Sequence, residues 1–444
     1  MKRYSEYKDS GVKWIGEIPG HWECTRIKFI ANLYGRIGFR GYNSKDLNKD
    51  GIGAITLSPS NMKDMMMDYT NVTYLSWEKY NESPEIMIQQ GDILFVKTGS
   101  SYGKSCYVDN LPQEATINPQ ILRINPLING RFLCYYFNSS LARTFTECGV
   151  VGGTIPTISQ EKVGNFIALN PPLPEQEAIV TYLDTKVAKI DEYISIAEKK
   201  IAALEELKQT IIAEAVTRGI HKEVPMKDSG VKWIGMIPEH WKVLCLKYLS
   251  KIKGRIGYRG YTAADLVSEG EGAFVIGGKH INQCILNTES PDYISWDKYY
   301  ESPEIMVSKG DIVMAQRGSL GKVALIDKEI NEATINPSLV LIKDICCDAS
   351  FLYFYLRSNS TLTLIELLNT ATAVPMISQK QIEKMPIPLP PLPEQQEIVT
   401  YIEAKVANIN QLCQAERSQI EKLKEYKQRL ISDVVTGKVK VTND

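Results

Sequence analysis

The sequence predicts an α+β protein in which two similar globules alternate with two long helices, an internal pseudo-twofold repeat. Three observations predict this fold class. One set of motifs occurs twice along the 444 residues, each copy carries strand-like apolar runs, and each copy ends in a long helical pattern. Hydrophobic residues make up 44% and charged residues 23%, an ordinary globular profile that excludes fibrous and disordered classes.

The repeat appears as matching motifs in the same order. Asp-Ser-Gly-Val-Lys-Trp-Ile-Gly occupies 9–16 and recurs at 228–235, and Ile-Pro and His-Trp follow each copy. Two long units of this kind are two copies of one domain with its trailing segment, not a solenoid. The other matches join 35–42 to 254–261, 82–87 to 301–306, 114–119 to 332–337, and 172–176 to 391–395.

The two globules are assigned to 1–174 and 227–393. Their apolar runs are short and bounded by Gly, Asn and Pro, which is typical of buried strands. Apolar residues three and four positions apart predict further helices at 130–148 and 350–368. The strand-like runs are 93–96, 121–124, 312–315 and 339–342.

A long helix is predicted after each globule, at 175–218 and 394–437, with a linker at 219–226 and a tail at 438–444. Proline clusters precede both because proline fits the first helical turn but not the interior, and a glutamate follows each cluster near the positive helix end. Each helix would be roughly 66 Å long at about 1.5 Å per residue, too long for one globule to cover. We therefore expect the helices to pair as an antiparallel coiled coil.

The seam of this coiled coil repeats every three or four residues. Glu416 and Cys413 are expected to weaken it, and Leu207 and Tyr426 continue its apolar pattern. The principal seam residues are Ile179, Leu183, Val187, Ile190, Ile194, Ile201, Leu204, Ile398, Ile402, Val406, Ile409, Ile420, Leu423 and Leu430.

Charge is distributed unevenly although the net charge is only −1. The stretches 24–45 and 240–264 contain several Lys and Arg residues and no acid, and they occupy corresponding places in the two copies. Such local basic stretches are the electrostatic pattern of nucleic-acid contact.

The nine cysteines form no Cys-x-x-Cys pair and the four histidines are scattered, so we expect free thiols, no metal site and a cytoplasmic location. No apolar run is long enough to predict a membrane span. His21 and His240 recur between Pro and Trp in apolar stretches, where we expect a packed structural role.

The octet Gly-Arg-Ile-Gly-aromatic-Arg-Gly-Tyr places two arginines among three glycines in each basic stretch. Glycine lets the backbone approach a surface closely, and arginine binds phosphate or guanine, so the octets predict DNA contact; solvated arginines on a turn are the alternative. The segments 58–61 and 277–280 diverge between the copies and could read different bases. The candidate DNA-binding residues are Arg36, Arg40, Lys45, Ser60, Asn61, Lys104, Arg255, Arg259, Lys279, His280, Arg317 and Lys322.

Catalytic motifs are weak throughout. The loop 99–105 has three residues between its glycines where a P-loop needs four, and 318–323 is shorter still. The Asn-Pro-Pro-Leu at 170–173 lacks the aromatic residue of the amino-methyltransferase signature and is not repeated. We therefore predict a protein that is not an enzyme by itself.

Taken together, the motifs at 9–22, the octets, the Gly-Asp-Ile segments and Pro-Leu-Pro-Glu-Gln before each long helix resemble the specificity subunit of type I restriction–modification systems. The resemblance covers the whole chain in the family's order. It implies two DNA target recognition domains, one per half of a bipartite site, and helices that dock two methyltransferase subunits and, through them, the restriction subunits. It implies no cofactor for this chain, with S-adenosylmethionine, ATP and Mg used by the partners. The alternatives are a stand-alone DNA-binding protein and the recognition part of a single-chain methyltransferase-nuclease.

Overall fold

A computed structural model describes residues 3–48, 51–150, 155–369 and 374–441, so the last residues of the predicted tail lie outside it. The chain forms two compact units. The first comprises the residues up to Ala197 and those from Arg417 onward, and the second runs from Glu198 to Glu416. Each unit therefore contains one globule and a part of both long helices.

The elements of the first globule are short, in keeping with its frequent Gly, Asn and Pro residues. Its helices are α1 (Ile27–Ile30), α2 (Trp77–Asn81), α3 (Gly130–Phe137), α4 (Ser140–Gly149) and α5 (Gln160–Gly164). Its strands are β1 (Tyr7–Asp9), β2 (Glu17–Pro19), β3 (Glu23–Arg26), β4 (Ala31–Gly35), β5 (Leu47–Asn48), β6 (Ala54–Leu57), β7 (Met62–Lys63), β8 (Met66–Met67), β9 (Thr73–Leu75), β10 (Ile93–Val96), β11 (Ser105–Tyr107), β12 (Ala115–Ile117), β13 (Ile121–Pro126) and β14 (Ile167–Asn170).

Two four-stranded sheets form the body of this globule, in the orders β11-β10-β13-β4 and β12-β6-β9-β5. Strand β10 lies between two apolar layers, and its side chains alternate between them. Ile93 and Phe95 share a buried cluster with α3 and α4, whereas Leu94 and Val96 share one with the second sheet. This burial on both faces explains why β10 is a continuous apolar run.

The second globule repeats the topology strand for strand, with sheets in the orders β25-β24-β27-β18 and β26-β20-β23-β19. Its helices are α7 (Trp296–Tyr300), α8 (Ala349–Leu356), α9 (Asn359–Leu368) and α10 (Gln379–Glu383). Its strands are β15 (Met226–Asp228), β16 (Met236–Pro238), β17 (Lys242–Cys245), β18 (Lys251–Gly254), β19 (Leu266–Val267), β20 (Gly272–Ile276), β21 (Ile281–Asn282), β22 (Ile285–Leu286), β23 (Asp292–Ser295), β24 (Ile312–Ala315), β25 (Val323–Leu325), β26 (Ala333–Ile335), β27 (Leu339–Lys343) and β28 (Pro386–Leu389).

The four predicted strands are confirmed as β10, β13, β24 and β27. The short helices predicted within 130–148 and 350–368 are confirmed, and each range contains a pair of helices, α3–α4 and α8–α9. The first pair breaks at Ser139, whose hydroxyl accepts the Ala142 N–H at 3.3 Å and so caps α4. Ser358 holds the equivalent place, with its hydroxyl donating to the Tyr355 carbonyl at 2.7 Å.

The two long helices are continuous, α6 at Leu173–Arg218 and α11 at Leu392–Val435. Both begin two residues earlier than predicted because the last proline of each cluster lies inside the first turn. Helix α11 also ends two residues earlier, ahead of Gly437, which has a positive φ of 73°.

Within each unit the two long helices pack antiparallel. In the first unit the start of α6 and the end of α11 share one apolar cluster, and Lys427 pairs with Asp191 at 2.6 Å. In the second unit Lys208 Nζ donates to Asn410 at 3.2 Å, the equivalent contact in the repeat. The principal seam side chains predicted from the sequence are all buried or half-buried.

Three side chains differ from the predicted seam. Glu416 was expected to weaken it, but Glu416 pairs with Lys200 at 2.5 Å. Leu207 and Tyr426 lie outside the seam, 49% and 47% exposed, because a period of 3.6 residues drifts away from a strict three-four pattern.

The His-Trp motif fastens the start of each long helix to its globule. Glu175 accepts hydrogen bonds from His21 at 2.8 Å and from Trp22 at 3.0 Å. Glu394 accepts the same two bonds in the second copy, at 2.7 and 3.1 Å. The tryptophans are fully buried, but the histidines are about half exposed. The structural role expected for the histidines is therefore confirmed by their bonds to the glutamates, whereas the expected packing in the apolar interior is wrong.

Candidate nucleic-acid interface

Most candidate residues of the first globule lie on loops that meet at one edge of its two sheets. Val96 at the end of β10 pairs with Ile121, and Leu122 pairs with Gly35 at the end of β4. The parallel strands β6 and β12 end together at Leu57 and Ile117. We call this edge the polar edge. It consists of 35–42, 58–61, 97–104 and 118–120, and its counterpart in the second globule consists of 254–261, 277–280, 316–322 and 336–338.

The first arginine of each octet lies inside the fold. Arg36 donates to the Ile117 carbonyl at 3.1 and 3.2 Å and to the Thr116 hydroxyl at 3.0 Å, and its exposure is 7%. Arg255 makes the equivalent bonds to β26 and is equally buried. Burial lowers the pKa of both guanidinium groups. Both arginines thus tie the octet to the second sheet rather than projecting from the surface.

The second arginine of each octet is half-buried and reaches a glutamate. Arg40 lies 3.5 Å from Glu85, and Arg259 lies 3.4 Å from Glu304. Both glutamates come from the repeated Glu-Ser-Pro-Glu-Ile-Met segment, so the repeat supplies each octet with a counter-charge. These loose, partly solvated pairs contribute little to stability.

The divergent segments 58–61 and 277–280 each contain one inward and one outward candidate. Asn61 is buried and donates to the Asp68 and Asn71 carbonyls, at 3.2 and 2.9 Å. His280 is also buried, accepts the Gly277 N–H at 2.9 Å, and has its pKa lowered by burial. Ser60 and Lys279 are the exposed members of the two segments, and Lys279 pairs with Asp292 at 2.8 Å.

The glycine loops carry the remaining basic candidates. Lys104 Nζ donates to the Met62 carbonyl, and Lys322 Nζ donates to the Gly278 carbonyl at 2.9 Å. Arg317 is exposed at the polar edge of the second globule. Lys322 therefore connects the glycine loop to the divergent segment of the second copy, whereas Lys104 reaches the residue that follows the divergent segment of the first copy.

Lys45 is the candidate that the structure places away from the polar edge. It is exposed and lies just before β5, whose first residue, Leu47, pairs with Leu75 at the other end of the sheet. A basic residue close to the octet in sequence is thus separated from it by one strand length.

Two residues of the polar edge were not predicted. Lys97 and Gln316 immediately follow the strands β10 and β24 and occupy equivalent positions in the two copies. Their signal in the sequence is their place directly after the predicted strands 93–96 and 312–315, where a side chain must leave the buried sheet.

Within the described ranges, no group of three or more His, Cys, Asp or Glu residues could hold a metal ion. No described helix is long and apolar enough to span a membrane. Two copies of a globule with a polar edge, joined by paired helices, define a scaffold protein that presents two similar but non-identical surfaces.

Comparison with known proteins agrees with this class. The family model of the type I restriction modification DNA specificity domain matches residues 21–206 and 238–422. Two relatives from Methanocaldococcus jannaschii cover 98% of the chain and are themselves covered to 98%: a protein provisionally described as the type I restriction enzyme MjaX specificity subunit (26% identical) and the MjaVIII specificity subunit (24%). A chain from a structure of type I restriction–modification complex assembly has a TM-score of 0.69 at 18% identity, over 95% of this chain and 99% of that one.

The chain belongs to the type I restriction modification DNA specificity domain family, with two copies of the domain. The resemblance drawn from the sequence motifs is therefore confirmed, as are the α+β fold and the role as a non-catalytic DNA-recognition subunit.

Proposed function

We propose that each globule reads one half of a bipartite DNA site through its polar edge. The observation that carries this proposal is that both edges have the same backbone frame but different outward side chains, Ser60 against Lys279 and Thr98 against Arg317. A shared frame with changed side chains suits two surfaces that bind the same polymer and select different bases.

We further propose that the paired helices dock two methyltransferase subunits, one per unit. In the first unit, Tyr193 lies two residues after Asp191 on α6, and Tyr426 lies directly before Lys427 on α11. Both tyrosines are exposed. Leu412 and Leu207 are the equivalent exposed residues in the second unit, at 50% and 49%. Exposed apolar side chains at repeated positions favour one protein partner on each unit.

The partners would supply the chemistry. Methyl transfer needs S-adenosylmethionine, and the restriction subunits would use ATP and Mg, so this chain would need no cofactor of its own. The proposed complex acts in the cytoplasm, where the chromosome is accessible.

Reconstitution tests the proposal. The purified chain is expected to support methylation only when the modification subunits are added, and long-read methylome sequencing should then show one bipartite motif. Methylation by the chain alone would favour the single-chain methyltransferase, and DNA binding that never supports methylation with those subunits would favour a stand-alone binding protein.

Docking is tested by Tyr426→Glu and by Leu207→Glu, each expected to lower the number of bound methyltransferase subunits from two to one in a mass measurement by light scattering. Ser195→Glu is the matched control, because Ser195 is exposed on the same helix as Leu207 and is polar already. Two bound subunits in both variants would contradict this docking surface.

A further inference from the structure

The residue that follows the central strand of the first sheet has the same backbone setting in both copies. The Lys97 N–H donates to the Gln120 carbonyl at 2.8 Å, and the Lys97 carbonyl accepts the Ile158 N–H at 2.9 Å. Gln316 makes the two equivalent bonds, to Ser338 and Ile377, both at 2.9 Å. Its backbone is thus fixed on both sides, which is what a side chain needs to meet a ligand at a defined place.

The side chains at this position lie beside the first glycine of the octet. A Cβ added at Gly35 would be 3.4 Å from Lys97 Nζ, and one added at Gly254 would be 3.6 Å from Gln316 Nε2. Both distances are ordinary van der Waals contacts, so the ends of the two side chains lie against the first residue of the octet. Lys97 and Gln316 therefore place their terminal nitrogens beside the octet, at the polar edge.

The two side chains offer opposite hydrogen-bonding groups. Lys97 has donors only, is half-buried, and forms no ion pair with a carboxylate in the described part of the chain. Burial alone lowers its pKa. A half-buried ammonium group without a counter-charge is poorly solvated, so a hydrogen-bond acceptor on a ligand would stabilise it.

Gln316 presents an acceptor. Its amide nitrogen donates to the Pro337 carbonyl at 3.1 Å and to the Leu339 carbonyl at 3.3 Å. Two backbone carbonyls fix the orientation of the amide, because only its nitrogen can donate. The group that Gln316 can still offer to a ligand is its carbonyl oxygen, Oε1.

We propose that Lys97 and Gln316 are equivalent base-reading positions of opposite polarity, an inference that rests on the function proposed above. Lys97 donates to a base acceptor such as guanine O6 or N7, and Gln316 accepts from the amino group of adenine or cytosine. The two half-sites then differ at the base that this position contacts.

The test uses the full chain reconstituted with its modification subunits and a library of randomised half-sites. Lys97→Gln should change one base in the half-site read by the first globule, by roughly ten- to hundred-fold in preference, and leave the other half-site unchanged. Gln316→Lys should make the reverse change in the second half-site. Lys97→Met, which keeps the length and removes the donors, should relax that base without choosing a new one.

Lys13→Gln is the control, because Lys13 is an exposed lysine of the same globule in the β1–β2 loop, outside the polar edge. An unchanged motif in both exchange variants would overturn the inference. So would a weaker affinity that is equal for all sequences with a shallower salt dependence, which would identify a phosphate contact. Absence of any bipartite motif with the unaltered chain would instead contradict the proposed function itself.

Discussion

Asp92 and Asp311 are equivalent buried carboxylates with different surroundings. Asp92 is fully buried and pairs with Arg123 at 2.6 Å. Asp311 is 6% exposed and accepts the Ser308 N–H at 2.9 Å, but its sheet carries Leu341 where the first copy has the arginine. Burial consequently raises the pKa of Asp311.

Neutralising these two carboxylates should have different effects on stability. Asp92→Asn should lower the free energy of unfolding by about 3 kcal/mol or more, because it leaves Arg123 buried without its counter-charge. Asp311→Asn should be close to neutral, because the amide oxygen can still accept the same N–H. Thermal unfolding of both variants measures the difference, and equal losses would show that the two sites are not distinguished by Arg123.

The raised pKa of Asp311 also predicts a pH dependence. The folded state holds this proton more tightly than the unfolded state, so the contribution of Asp311 to stability falls as the pH rises from about 4, the unfolded value, through the folded pKa. Asp311→Asn removes that loss. The stability of the variant relative to wild type should therefore increase with pH across this range, and a constant difference would contradict the assignment.

The two arginines of the octet should separate stability from DNA binding. Arg36→Ala should lower the melting temperature, because it removes three bonds to the second sheet. Arg40→Ala should leave the melting temperature nearly unchanged and reduce DNA affinity, with a salt slope about one unit shallower. Calorimetry and binding titrations at several salt concentrations test this prediction. If Arg36→Ala instead weakened DNA binding and Arg40→Ala lowered the melting temperature, the roles given to the two arginines would be wrong.

The contrast between Arg36 and Arg40 shows which features of the site can be predicted from the sequence. Acid-free stretches and repeated glycines predicted the polar edge, because they depend only on residue type. They did not separate Arg36 from Arg40, since the burial of Arg36 depends on the Ile117 carbonyl, which is distant in sequence. Lys97 was missed for the same reason.

Among elements, the start of each long helix depends on a single glutamate. Glu175 accepts bonds from the His21 and Trp22 side chains, and Tyr4 also donates to it. Glu175→Ala should cost about 2 kcal/mol and speed amide exchange in the first turns of α6. Glu177→Ala is the control, because Glu177 is exposed in the same turn; similar exchange rates in both variants would refute the fastening role.

Elements were predictable where apolar periodicity is strong and local. The continuous apolar run of β10 and the three-four apolar pattern of α6 each predict the element from local sequence alone. The position of the break between α3 and α4 was not predicted, because Ser139 is compatible with a helix interior, and its bond to the Ala142 N–H shows that a new helix begins.

In the whole molecule, the same contact between the two antiparallel helices occurs twice, once in each unit. Asp191 with Lys427 in the first unit and Asn410 with Lys208 in the second are the same contact in the repeat. The change from one unit to the other falls after Ala197 on α6 and after Glu416 on α11, inside uninterrupted helices.

Inserting one heptad at both of these places should change the spacing of the DNA site. Each helix gains about 10 Å and keeps its seam in register, which corresponds to about three base pairs of unread spacer. Activity should fall, because three base pairs also turn the second half-site by about a third of a turn. Methylome sequencing gives the result; the original spacing with normal activity would refute the role of the helices as a spacer.

The central claim is that each globule independently reads one half-site. The most direct measurement is the methylome produced by a chain in which residues 228–393 are replaced by a second copy of 9–174, with both helices unchanged. The account predicts a bipartite motif with two identical half-sites, each equal to the half-site read by the first globule. A methylated motif that keeps the original second half-site would contradict it.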